Sequence, residues 1–101
     1  MKAINPFDEP ISAAEIITED YMEPLKLSGA ALAKKIGVSA STINRILNGK
    51  AALTPEMAIK ICAVVGGSPA VLMRIEAEYR LAQAEKKVDT SNLKPILIEA
   101  C

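Results

Sequence analysis

At 101 residues, half of them apolar, the chain has material for one compact domain with one core. Formal net charge is zero, and there are two cysteines, no C-x-x-C pair and no histidine, which argues against a zinc site and a disulfide scaffold and fits a reducing cytosol. No apolar run approaches the roughly 18 residues of a membrane span, and no basic-then-apolar leader opens the chain, so no membrane partner is expected.

The predicted elements are helices punctuated by caps and glycines. Ser12, three residues ahead of Glu15, has the spacing of a capping box. A first helix is predicted over about 13–23, with Ile16, Ile17, Tyr21 and Leu25 at helical spacing and Pro24 as its limit. Ser28 caps a second helix, in which Leu32, Ala33 and Ile36 form the apolar face and Gly37 supplies the stop. Ser39 caps a third, with Ile43, Ile46 and Leu47 inward and Gly49 at its end. Thr54-Pro55 and Ser68-Pro69 each place a cap before a proline at the first helical position. They open a fourth helix, stopped by Gly66-Gly67, and a fifth to about Ala84 with Leu72, Ile75, Tyr79 and Ala82 on one stripe.

Short connections between helices of this length indicate an all-α bundle. The expected organisation is an N-terminal arm over 1–11, a helical domain over 12–87 and a tail over 88–101. The segment 93–98 (Leu-Lys-Pro-Ile-Leu-Ile) is apolar and β-branched, fit for a short strand or an arm that orders against a partner. Cys62 reads as a small core residue.

Charge is segregated along the chain. Residues 1–23 carry Lys2 against six acids, whereas 24–55 carry Lys26, Lys34, Lys35, Arg45 and Lys50 and no acid. Residues 56–101 balance. A positive middle is what a localised phosphate-facing surface needs. The same window holds the most informative pattern, about 28–49. A small residue, Ala33, stands four before Gly37, and Val38 and Ile43 plug the angle before a new helix starts at Ser39. This is the helix-turn-helix arrangement, whose second helix enters the major groove.

The polar face of that second helix presents Ala40, Ser41, Thr42, Asn44 and Arg45. Short residues let the backbone approach the bases. An arginine can bond guanine O6 and N7 together, for about 1–3 kcal/mol of discrimination. Backbone N–H groups at both helix starts, with Ser28, Ser39 and Lys50, suit phosphate oxygens. Lys34 and Lys35 are further phosphate candidates. With no histidine, no phosphate-cradling glycine loop and only surface carboxylates (Glu19, Asp20, Glu23) near one another, no enzymatic activity and no cofactor or metal is expected.

The run Val38 to Gly49 closely resembles the recognition helix of repressor- and Cro-like helix-turn-helix proteins. More narrowly, the chain resembles the HigA-type antitoxins of bacterial toxin–antitoxin modules. The resemblance spans about 5–85 and is carried by Asn5-Pro6, by Glu15 through Ser28, by Leu53-Thr54-Pro55-Glu56-Met57-Ala58, and by Ser68-Pro69 through Tyr79. It implies a five-helix domain, a homodimer bound to a palindromic operator in its own promoter, and a cognate toxin that is a ribosome-dependent messenger-RNA endonuclease. By position it assigns Ala40, Ser41, Thr42 and Arg45 to bases, with Ser28, Ser39 and Lys50 near phosphates. The chain departs from the pattern at Gly29, where related repressors often carry Gln, and in the tail 93–98. The expected function is that of a DNA-binding antitoxin that represses its own operon and neutralises a toxin. The alternatives are an autonomous or prophage-derived repressor, and an interaction domain that has lost DNA binding.

Overall fold

The computed structural model describes residues 11–96, so the expected arm over 1–11, the last residues of the tail and Cys101 lie almost wholly outside the described residues. Five helices form among them. Helix α1 runs in three continuous pieces, Ala13–Ile16, the π-helical Ile17–Met22, and Glu23–Leu25. Helices α2 (Gly29–Ile36), α3 (Ala40–Leu47), α4 (Pro55–Val65) and α5 (Pro69–Lys87) follow.

Every expected N-cap forms. Ser12, Ser28, Ser39, Thr54 and Ser68 have extended backbones, and each side-chain oxygen accepts a backbone N–H three residues on. Each such cap satisfies a donor the helix cannot.

One boundary differs from the sequence reading. The first helix does not stop at residue 23. Proline lacks an N–H and its ring crowds the carbonyl four residues back. Here the preceding turns are π turns, with the Glu23 N–H reaching back five residues to the Thr18 carbonyl. The wider turn makes room for Pro24, and the helix continues to Leu25. It ends at Lys26, whose φ of 53° is left-handed. Lys26 N–H bonds the Glu23 carbonyl at 3.0 Å and Leu27 N–H bonds the Met22 carbonyl at 2.9 Å, which is the paired bonding of a Schellman stop without its usual glycine. The sequence leaves the tail open between a short strand and an arm, and Leu97 and Ile98 of its apolar segment lie outside the described residues. Residues 88–96 form neither helix nor strand, only a turn in which the Asp89 carboxylate accepts the Ser91 N–H and the Leu93 N–H bonds the Thr90 carbonyl. A lone segment has no partner strand with which to satisfy its backbone.

The core draws one fully buried aliphatic side chain from each helix: Ile17, Leu32, Ile43, Ile61 and Leu72. Ala13, Ala33 and Ala58 are buried between them, where small side chains allow close helix approach. Cys62 is buried as expected, and burial pushes its thiol pKa up from the ordinary value. Helix α2 packs on α3 and α4, α4 on α5, and α1 on α5 and α3. Each large side chain removed from water contributes about 1.5–3 kcal/mol.

Candidate nucleic-acid interface

The turn between α2 and α3 is built as its residues require. Gly37 adopts φ 80°, and the Val38 N–H bonds the Ala33 carbonyl at 3.0 Å. Ala33 is buried, Val38 half-buried and Ile43 sealed in the core. These contacts pack α3 against α2 with Ile43 and Ile46 facing inward and Leu47 half-covered.

The opposite face of α3 is open. Ala40, Ser41, Thr42, Asn44 and Arg45 are all exposed, as are Ser28, Ser39 and Lys50, and Lys34 and Lys35 beside them. The structure thus brings every expected contact residue to the surface. It also shows what several of them already bond. The Ser28 oxygen accepts the Ala31 N–H at 3.1 Å. The Ser39 oxygen accepts the Thr42 N–H at 3.1 Å and lies 2.8 Å from the Thr42 hydroxyl. The Thr42 hydroxyl is therefore engaged by the cap of its own helix and leaves its methyl as the freer contact group. Among the described residues, the Ser41 and Arg45 side chains make no such internal bond.

The departure at Gly29 has a structural counterpart. Gly29 opens α2, and a Cβ built on it would stand 2.8 Å from Asn44 Oδ1, with Leu47 and Ile43 of α3 just beyond. The bare glycine lets the Asn44 amide of α3 lie across the start of α2. The first turn of α2 and the middle of α3 therefore share one surface.

The turn that follows α3 is anchored from α5. Glu76 of α5 is 5% exposed. It accepts the Leu53 N–H at 2.8 Å and pairs with Arg80 Nε at 3.0 Å, while Arg80 Nη2 donates to the Ala51 carbonyl at 3.2 Å. The sequence reading missed this pair. A signal was present: Glu76 follows the core residue Leu72 by four and precedes Arg80 by four, which puts a carboxylate on the buried stripe beside a cation. Among the described residues no cluster of side chains could hold a metal ion, and no helix is long and apolar enough to cross a membrane.

Fold and site define a helix-turn-helix protein of the repressor/Cro type. The helix-turn-helix family model matches residues 19–72. An Escherichia coli K12 protein, the uncharacterized HTH-type transcriptional regulator YddM, is 40% identical over 83 residues, covering 82% of this chain and 88% of its own. Antitoxin HigA-1 of Vibrio cholerae is 33% identical over 91 residues, covering 88% of this chain and 86% of its own. The structure of Pseudomonas aeruginosa antitoxin HigA with the higBA promoter superposes with a TM-score of 0.74 at 30% identity, covering 88% of this chain and all of that one. The chain belongs to the helix-turn-helix family and, within it, to the HigA-type antitoxins.

Proposed function

We propose that this protein is a cytoplasmic antitoxin that binds a palindromic operator as a homodimer, represses its own operon and neutralises a messenger-RNA endonuclease toxin. The observation that carries the DNA-binding part is the outward face of α3. Short side chains there precede an exposed arginine by one turn, inside a window that holds five cations and no acid. In this reading Arg45 takes a guanine edge, Ala40, Ser41 and the Thr42 methyl contact bases, and Asn44 reads from beside Gly29. Ser28, Ser39 and Lys50 take phosphates, with Lys34 and Lys35 adding charge. The P. aeruginosa relative, whose structure is described as with its promoter, supports the same use of the fold.

A palindrome requires two recognition helices about 34 Å apart, one turn of DNA. The apolar surface that supports a second copy lies along α5 and beyond it, where Val71, Leu81, Val88, Leu93 and Ile96 are exposed. Leu72 belongs to the core and Ile75 packs against it, as expected of the apolar stripe of this helix. The toxin half of the proposal is supported by kinship with HigA-type antitoxins, and the exposed acids Glu15, Glu19, Asp20 and Glu23 on α1 suit a basic partner.

The alternative is an autonomous repressor without a toxin, favoured by the name of the E. coli relative. A gel-shift titration on DNA from upstream of the gene, with and without the product of the adjacent gene, separates the readings. The antitoxin reading expects specific binding that weakens steeply with salt and changes when the neighbouring product is added. Specific binding indifferent to that product supports the autonomous repressor. Binding indifferent to both sequence and salt removes DNA recognition altogether.

A further inference from the structure

The Glu76–Arg80 pair is connected to the candidate base reader through hydrogen bonds on both sides of Ala51. The Arg45 carbonyl accepts the Lys50 N–H at 2.8 Å and the Ala51 N–H at 3.1 Å. The Ala51 carbonyl accepts from Arg80 Nη2 at 3.2 Å, Arg80 Nε bonds Glu76 Oε2 at 3.0 Å, and the same oxygen accepts the Leu53 N–H at 2.8 Å. A single residue, Ala51, thus separates the backbone of Arg45 from a guanidinium on α5. An apolar side chain at position 76 would fill the core as well as a carboxylate does, since buried ion pairs seldom add net stability over well-packed apolar groups. It would leave the Leu53 N–H without its acceptor. The planar arginine fork is what lets one side chain bond both the carboxylate and the Ala51 carbonyl.

We infer that Glu76 and Arg80 are positioning residues for the recognition helix, holding the Lys50–Leu53 turn, and with it Arg45 and Lys50, at a set orientation relative to α5. Neither residue touches the exposed face of α3. They act by denying the C-terminal turn of α3 the freedom that would let Arg45 miss its base edge. This rests on the DNA-binding reading above. If α5 carries the dimer contact, the same pair sets the recognition helix against the dimer axis.

The test uses the full chain with Arg80→Met, which keeps the apolar stem, and Glu76→Gln, which keeps an acceptor for Leu53 but loses the ion pair. The first readout is amide hydrogen exchange in the free protein. Exchange at Ala51 and Leu53 should accelerate tenfold or more while Ile61 and Cys62 in α4 keep wild-type protection. The second is the ratio of affinity for upstream DNA to affinity for random DNA of the same length at one salt concentration. It should fall about tenfold, with a smaller fall in random-DNA affinity as Lys50 loosens, and Arg45→Ala should cost less in the Arg80→Met background than in wild type. Unchanged exchange at the turn, or a ratio that stays at the wild-type value, overturns the positioning role. If Arg80→Met opens α4 as well, Glu76→Gln is judged by faster exchange at Ala51 alone, since it keeps the Leu53 acceptor, and by the same affinity ratio. A wild-type ratio near one would instead remove the DNA-binding reading, and the positioning role with it.

Discussion

Tyr21 closes over Gly67: its hydroxyl oxygen lies 2.5 Å, and Cζ 2.9 Å, from the point a Cβ on Gly67 would occupy. The contact joins α1 to the turn between α4 and α5, and Gly67 holds φ 93°. Gly66 beside it has φ 92° and ψ −175° with open space around it. Gly66→Ala should therefore cost backbone strain alone, about 1–3 kcal/mol. Gly67→Ala adds a steric conflict of about 1–3 kcal/mol. Denaturant unfolding of both variants, alone and combined with Tyr21→Ala, checks this. Tyr21→Ala should rescue part of the Gly67→Ala loss and none of the Gly66→Ala loss.

Lys26 occupies a left-handed position that glycine adopts without strain. Its side chain is exposed, so little packing is lost on truncation. Lys26→Gly should stabilise the fold by about 1 kcal/mol, within the range of the left-handed penalty. A midpoint that falls in urea unfolding would mean that the lysine side chain contributes more than the strain costs.

Arg45 and Lys50 are both exposed but are assigned different work. Arg45→Ala should reduce operator affinity by about 1–3 kcal/mol and relax selectivity at one base step. Lys50→Ala should weaken binding to all sequences alike and reduce the salt slope by about one. Binding titrations against single-base operator variants at several salt concentrations separate the two. Equal losses on every sequence for both variants would make Arg45 a phosphate contact.

Leu81 is 60% exposed on α5, whereas Ile75 packs against the core. A charge at position 75 would damage the fold before it informed on assembly. Leu81→Asp is the cleaner probe. It should leave the unfolding midpoint within about 0.5 kcal/mol, as for other surface substitutions, while sedimentation shows monomers that bind a full palindrome poorly. A dimer that survives the change would move the interface away from this part of α5.

The helices and their starts were legible because each cap is a bond between residues three apart: Ser28 to Ala31, Ser39 to Thr42, Thr54 to Met57. The outward face of α3 was legible for a similar reason. Its apolar residues Ile43, Ile46 and Leu47 repeat at helical spacing, so the face bearing Ser41 and Arg45 had to lie opposite them. Which apolar residues meet a second chain was not legible, because periodicity marks an apolar face without saying whether it meets the same chain or another.

By itself the sequence determined where helices begin, which turn bends α2 into α3 and which side chains α3 presents, since these follow from hydrogen bonds and side-chain spacing within a few residues. Only the tertiary structure decided that α1 passes through Pro24 by widening its turns, that Asn44 lies over Gly29, and that Glu76 and Arg80 reach the backbone of Leu53 and Ala51, residues 23 and 29 positions away. A buried carboxylate must find its donors in space, and no local pattern says which distant peptide group folding will deliver.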